Sequence, residues 1–417
     1  MTLLLKKLLR KMAVLTIKKY QPGIIAITGT VGKTSTKEAI YTILRSVRKV
    51  RANSANFNNE ISLPLTILGS WTKIEQPAIF FWFKVIFTAL NNLLIETDYP
   101  ELLILEYTAD RPGDIKYLLT IARPQISVIT AVGDIPVHVE FYASPEHVAR
   151  EKARLVEALP INGFAVLNAD DLMVLQMKER TRAHLITFGF DETADLRISA
   201  YEAHNEQLPL GGWKPAGITF KLEYGGNFLP LRLAGVFGKA QAYALAGAAA
   251  VAIIYGMNLL KIGEAAQYYE APAQRLKLLA GIKGAYILDD SYNASPLSMA
   301  AALETVGTLK AKRKVAVLGD MLELGEYTMS AHEEVGRQAA RVFDVLVTVG
   351  SRARLIAEAA AKTKFDKEQI FSYDTAEEAG PAVQGIMEKG DLVLVKASRG
   401  IHLEKVVEKI KYKAVIV

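Results

Sequence analysis

One run, GIIAITGTVGKTSTKEAIYTIL from Gly23 to Leu44, restricts this chain more than any other feature. GIIAIT is a continuous apolar segment of the kind that forms a strand buried on both faces. Gly29 and Gly32 let the following turn curl so that its N–H groups converge on an anion. Lys33-Thr34 then opens a helix through Ile43, and the helix N-terminus adds its dipole to that field. Thr28, Gly29, Thr30, Val31, Gly32, Lys33, Thr34 and Ser35 are therefore the candidate nucleotide-binding residues. Lys33 is placed to reach the β- and γ-phosphates of ATP, and Thr34 to ligate Mg²⁺. The usual phosphate-loop pattern has glycine at position 27, where this chain has Ile27, so the loop is a shortened form.

Strand-like runs recur along the chain: ELLILEY at 101–107, QISVIT at 125–130, GAYILDD at 284–290, KVAVLGD at 314–320, VLVTVG at 345–350 and DLVLVK at 391–396. Helical stretches separate them, which predicts doubly wound α/β domains with mostly parallel sheets. The expected organisation is a basic helix over 1–20, a central ATP-binding domain over 21–270 and a C-terminal Rossmann-like domain over 271–417, divided near Pro272. Two segments read as inserts in the central domain: an apolar helical one at 71–97 and a small antiparallel one at 185–233, where Gly, Pro and alternating stretches such as GITFKLEY occur.

Of the 417 residues, 51% are apolar, enough for full cores. Cysteine is absent, which excludes disulfides, thiolate metal sites and a cysteine nucleophile and fits a cytoplasmic location. The net charge of +6 favours anionic ligands. No strand carries an interleaved basic and aromatic strip, so nucleic acid is not an expected partner. Residues 3–19 read LLLKKLLRKMAVLTIKK. A helical wheel puts Leu4, Leu5, Leu8, Leu9, Met12 and Leu15 on one face and Lys6, Lys7, Arg10 and Lys11 on the other. Such a helix either packs on its domain or lies on an anionic membrane at the inner face. The apolar stretch 77–95 approaches the length of a membrane span, but Lys84, Asn91 and Asn92 are costly in lipid, so it reads as a buried or interfacial helix.

Further motifs follow in order. NSANFNNEISLPLTIL (53–68) has an Asn-rich tip suited to polar groups of a substrate, or equally to Asx turns. Glu106 ends a strand and is placed to hold Mg²⁺ on ATP. IPVHVEFYASPEHVAREKARLVEALP contains His138 and, fourteen residues on, Lys152. Taken alone, Lys152 is one more charge on a charged helix beside Arg150, Glu151 and Arg154. LAGVFGKAQAYALAGAAAVA, AQRLKLL, ILDDSYNASPLSMAAAL, VAVLGDMLELGEYTMSAHEEVG and GDLVLVKASRG complete the series. Of two adjacent aspartates at a strand end, one is suited to accept from ribose hydroxyls and the other to cap the next helix.

Together these stretches resemble the Mur ligase family, and within it the branch that adds D-alanyl-D-alanine. The resemblance implies a peptide ligase in which a substrate carboxylate attacks the γ-phosphate of ATP and an amine then attacks the acyl phosphate. It implies Lys33, His138 and Lys152 as catalytic residues, and Thr34, Glu106, His138 and Lys152 as ligands of two Mg²⁺ ions, with Lys152 carbamylated by CO₂. Gln241, Arg275, Asp289, Asp290 and Asn293 would join the phosphate loop around the nucleotide. Asn56, Asn58, Asn59, Lys396, Ser398 and Arg399 would face the substrates, a muramoyl-peptide precursor and D-alanyl-D-alanine. Where the family shows His-Asn on its adenine-side helix, this chain has Phe237 and Gly238. Only about twenty residues precede the ATP-binding core, whereas the family has a UDP-gripping domain there, which opens the way to a lipid-linked acceptor. The same stretches are compatible with a Mur-type ligase for a different amino acid or peptide, and with a non-catalytic ATP-binding scaffold. The enzyme is expected to act as a monomer.

Overall fold

The computed structural model describes residues 3–53, 59–71, 73–76, 78–209 and 211–412. It contains two sheets. The first has nine strands: β1 (Gly23–Thr28), β2 (Val50–Ala52), β3 (Leu102–Glu106), β4 (Ile126–Ile129), β5 (Phe164–Asn168), β6 (His184–Gly189), β7 (Leu196–Gln207), β8 (Trp213–Tyr224) and β9 (Asn227–Ala234). Their order is β2-β3-β1-β4-β5-β6-β7-β8-β9, parallel as far as β7 and antiparallel beyond it.

The doubly apolar reading of the central strands follows from their two covers. Ile25 and Ile27 face helices Lys33–Leu44 and Lys239–Ile254, while Ile24 and Ala26 face helices on the opposite side. Helix Lys239–Ile254 is alanine-rich because it is buried closely: a Cβ at Gly247 would stand 3.4 Å from both Thr36 and Phe188.

The segment 185–233 is antiparallel from β7 on, and it extends the first sheet rather than standing apart from it. Strand β6 pairs in parallel with β5, and β7, β8 and β9 continue the same sheet as an antiparallel edge. The alternation in GITFKLEY reflects one covered and one solvated face within that extension.

The second sheet has six strands: β10 (Lys277–Ala280), β11 (Tyr286–Asp290), β12 (Arg313–Gly319), β13 (Val345–Val349), β14 (Ile370–Tyr373) and β15 (Asp391–Lys396), ordered β10-β11-β15-β12-β13-β14. Only β10 is antiparallel, and apolar clusters cover both faces. The fold is therefore α/β with two large, mostly parallel sheets, and the carboxyl ends of β1, β3, β11 and β15 converge on one cleft.

The N-terminal helix Leu3–Tyr20 packs on the first domain by part of the face the wheel suggests, Leu5, Leu9 and Met12. Leu9, Met12, Ala13 and Thr16 are buried, while Leu4, Leu8 and Leu15 are exposed beside Lys7, Lys11 and Lys18. The domain selects the narrow strip that fits against helices Ser62–Leu68 and Ala78–Leu94, and it leaves leucines outside. Residues 78–94 form one helix, with Phe81, Val85, Ala89 and Asn92 buried. Among the described residues, no helix is long and apolar enough to cross a membrane.

Phe188 is fully enclosed between the first sheet and helix Lys239–Ile254. Phe188→Ala should lower stability to urea by about 3–5 kcal/mol, the usual cost of removing a buried ring, as read by the shift in unfolding midpoint.

Candidate active site

The loop after β1 requires its glycines. Gly29 has φ 149°, and a Cβ there would lie 2.0 Å from Thr130 Oγ1. Gly32 has φ 90° and precedes helix Lys33–Leu44 with no side-chain cap, so the first N–H groups of that helix have no side-chain acceptor at its N-cap. Thr130 fixes the loop from behind by donating to Val31 O at 2.7 Å. Thr30 Oγ1 is buried without a partner. A loop of inward amides with an orphaned hydroxyl fits an anionic, oxygen-rich ligand such as a nucleotide polyphosphate.

Two ammonium groups meet at this loop. Lys33 Nζ donates to Gly29 O at 2.9 Å, and Lys152 Nζ donates to the same oxygen at 3.0 Å. Helix Pro145–Glu157 supplies Lys152 from its buried face, so the residue is not one of the solvated charges around it. Burial lowers the Lys152 pKa to about 7, with the neighbouring Lys33 charge acting in the same direction. Burial likewise depresses Lys33, opposed by Glu106 and Asp110. An amine with a pKa near 7 is substantially neutral at physiological pH, the form that reacts with CO₂.

Opposite stands Glu106, buried at the end of β3, with Thr34 donating to its Oε2 at 3.1 Å. Asn53 positions that strand end by accepting from the Glu106 N–H at 2.9 Å. Among the described residues no cluster of three or more His, Cys, Asp or Glu is arranged to hold a metal unaided. The Thr34–Glu106 pair nevertheless fits a magnesium ion that takes its remaining ligands from phosphate and water. His138 lies between Asp110, 3.2 Å from Nε2, and Glu323, 2.5 Å from Nδ1. Glu323 comes from the second domain, and the adjacent His138 ring holds its carboxyl below the usual carboxylate range.

The cleft has a volume of about 340 Å³. Gly29, Thr30, Val31, Gly32, Lys33, Thr34, Ser35, Glu106, His138, Lys152, Gln241, Arg275, Asp290, Asn293, Lys396 and Arg399 all line it. Arg275 and Arg399 lie over Tyr292, at 3.9 and 4.9 Å from its ring centre. Lys396 is buried against Asp290 at 2.6 Å and also donates to Asn293 O. Gln241 is held at both ends, accepting from Tyr269 and donating to Arg275 O. Gly238 has φ 88°, a backbone conformation that residues with side chains rarely adopt, which accounts for glycine in that position.

Several expected site residues serve the scaffold instead. The Thr28 hydroxyl donates to Tyr107 O, beneath the loop rather than in the cleft. Asp289 accepts from the Ser291 N–H and hydroxyl, closing a turn. The following helix, Pro296–Thr308, is capped by Ser295 in a capping box with Ser298, not by an aspartate. Ser398 accepts from Leu322 N and so ties two loops together. Asn59 caps the start of helix Ser62–Leu68 through the N–H groups of Ile61 and Ser62. Asn56 and Asn58 lie outside the described residues. Asp110, Thr130 and Tyr292 also contribute to the site; of these, only Tyr292, inside the DDSYNASP run, carries a signal in the sequence.

The family model for the Mur ligase middle domain matches residues 27–78 and 88–252, and that for the Mur ligase glutamate ligase domain matches 274–399. The chain belongs to the Mur ligase family. The UDP-N-acetylmuramoyl-tripeptide–D-alanyl-D-alanine ligase of Mycobacterium tuberculosis is 32% identical over 409 residues, covering 92% of this chain and 72% of its own length. The Bacillus subtilis enzyme of the same name is 28% identical, covering 96% and 78%. The MurF ligase of Thermotoga maritima, solved in complex with ADP, superposes with a TM-score of 0.77 at 26% identity, over 97% of this chain and 83% of that one. In this Mur ligase the phosphate loop and β3 come from the middle domain, and Arg275, Asp290 and Lys396 from the glutamate ligase domain.

Lys152 binds fewer protons in the folded than in the unfolded chain between pH 7 and its ordinary value of 10.5. Stability should therefore rise with pH across that window, by at most about 1.4 kcal/mol per pH unit. Below pH 7 the full penalty of burying the cation is present. Lys152→Met should flatten the profile of denaturation midpoint against pH from about 7 to about 10, measured in CO₂-free buffer.

Proposed function

We propose that this chain is an ATP-dependent amide-bond ligase that adds D-alanyl-D-alanine to a muramoyl-tripeptide precursor of peptidoglycan. The observation that carries the reading is the convergence of Lys33, Lys152, the Thr34–Glu106 pair and His138 on one cleft between the two domains. The names of the relatives supply the substrates.

In this mechanism a carboxylate oxygen of the tripeptide attacks the γ-phosphorus of ATP. The bond to the β-phosphate oxygen breaks, and ADP leaves. The dipeptide amine then attacks the acyl carbon, phosphate departs, and the new amide nitrogen loses a proton. The protein's task is positioning and charge neutralisation. Lys33 and the loop amides hold the phosphates, while Arg275 and Tyr292 present cation and ring toward the nucleotide. Thr34 and Glu106 would hold one Mg²⁺; His138 and carbamylated Lys152 would hold a second. The ions, when bound, would neutralise the β- and γ-phosphate oxygens. Lys152 reaches its anionic form when its neutral amine bonds to CO₂ and releases a proton, which the depressed pKa favours. Arg399 and Lys396 face the incoming substrates. The enzyme works as a monomer in the cytoplasm, with the basic segment 3–19 at the inner face of the membrane.

Phosphate release should require ATP, Mg²⁺, muramoyl-tripeptide and D-alanyl-D-alanine together, and should fall at least about 100-fold in Lys33→Ala. Release with a lipid-linked tripeptide but not a UDP-linked one would change the acceptor, and no release with either would remove the ligase reading. In ¹³C-bicarbonate, a carbamate resonance should appear in the wild type and be missing from Lys152→Met.

A further inference from the structure

Helix Ala78–Leu94 has two apolar faces, and the domain uses only one. Its inner face, Phe81, Val85, Ala89 and Asn92, is buried. Phe80, Phe83, Phe87, Leu90 and Leu94 recur at spacings of three and four, so they form one stripe on the opposite side. Their exposures are 70%, 65%, 73%, 45% and 82%. A continuous stripe of this size on a water-facing helix marks an interaction surface. The middle-domain family model passes over residues 79–87, so the core of this stripe lies outside what the family shares.

The helix is fixed to its neighbour. Lys19 Nζ donates to Asn92 O at 2.8 Å and Ile95 O at 2.7 Å, satisfying carbonyls at its C-terminal end, and Tyr20 donates to Asn92 O at 2.8 Å. Asn92 in turn donates to Leu68 O at 3.1 Å. The helix is thus held from within, with its stripe outward, and it is not long enough to span a bilayer.

The two helices themselves carry charge of one sign, and Glu75 and Glu96 lie just beyond the ends of Ala78–Leu94. Neither residues 3–20 nor 78–95 contain an aspartate or glutamate. Lys7, Lys11 and Lys18 are exposed on the adjoining helix, and Lys84 flanks the stripe itself. Glu75, 3.7 Å from Lys84, forms an exposed pair of little energetic weight.

We infer that helix Ala78–Leu94, flanked by the lysines of helix Leu3–Tyr20, docks in the plane of a bilayer surface that contains anionic lipid. The phenylalanines enter the boundary between headgroups and acyl chains, and the lysines meet lipid phosphates. A second copy is the poorer occupant: neither helix carries a carboxylate to pair with the exposed Lys7, Lys11 and Lys18 of its partner. The inference rests on the membrane location given above for segment 3–19, but it assigns the apolar anchor to a different helix.

The test is flotation of the full chain with vesicles of pure phosphatidylcholine and of phosphatidylcholine containing phosphatidylglycerol. The wild type should float with the anionic vesicles, float poorly with the neutral ones, and be released by salt. Phe80→Ser/Phe83→Ser/Phe87→Ser should reduce partition by about tenfold or more, with unchanged thermal unfolding and unchanged ligase activity on soluble substrates. Phe87→Glu, a single exposed change, gives the same reading if the triple variant does not fold. Full flotation of both variants, with loss only on Lys7→Glu/Lys11→Glu/Lys18→Glu, would keep the membrane location and overturn this inference. No flotation of the wild type would overturn both. A wild-type dimer in sedimentation that Phe87→Glu converts to monomer would overturn it too, reassigning the stripe to a contact between copies.

Discussion

The carbonyl oxygen of Gly29 accepts from two lysines, and the cleft is organised around that contact. Lys33 and Lys152 are donors to one atom in a largely buried site, with Arg275 contributing a third positive charge nearby. Desolvation and mutual repulsion make this arrangement unfavourable for two full ammonium ions. Glu106 and Asp110 compensate only in part. The site therefore has a standing preference for added negative charge. A polyphosphate supplies it through the loop, and conversion of Lys152 to a carbamate would supply it from within the protein.

The loop depends on the sheet behind it. Gly29 lies so close to Thr130 that no side chain fits, and Thr130 hydrogen-bonds the loop at Val31. These contacts fix the loop between β1 and β4, while Asn53 fixes Glu106 at the end of β3. Across the cleft the polar links to the second domain include His138 to Glu323, Asn205 to the Lys310 N–H, and Lys239 to Glu304. Lys239–Glu304 is exposed and contributes little stability, whereas Phe237 of the first domain is buried in the apolar cluster of the second.

Much of this arrangement is legible in the sequence because it depends on local rules. Continuous apolar runs mark the parallel strands, and Gly29, Gly32, Lys33 and Thr34 announce the anion site through residue types that few other structures require. Residues whose role depends on tertiary partners are harder to place. Thr28 and Ser398 sit within motifs near the cleft, yet their hydroxyls satisfy backbone groups behind it. Asp110 resembles any loop acid until the fold brings it to His138. The antiparallel strands after β6 carry an insert-like composition, but an edge strand offers unpaired backbone groups on which the sheet continues. The N-terminal helix departs in part from its wheel, for a related reason. A wheel ranks faces by hydrophobicity, whereas burial follows the shape of the surface beneath, and Ala13 and Thr16 fit where Leu4 and Leu8 do not.

The central claim is that the cations meeting at Gly29 await an anion, with Lys152 held partly neutral until one arrives. Calorimetry of MgATP binding slightly above the Lys152 pKa of about 7, in CO₂-free buffers of different ionisation enthalpy, measures this directly. Bound phosphate should raise the Lys152 pKa, so binding should take up a fraction of a proton; the uptake should disappear in bicarbonate and in Lys152→Met. Binding without proton uptake in CO₂-free buffer, or the same uptake in Lys152→Met, would contradict the account.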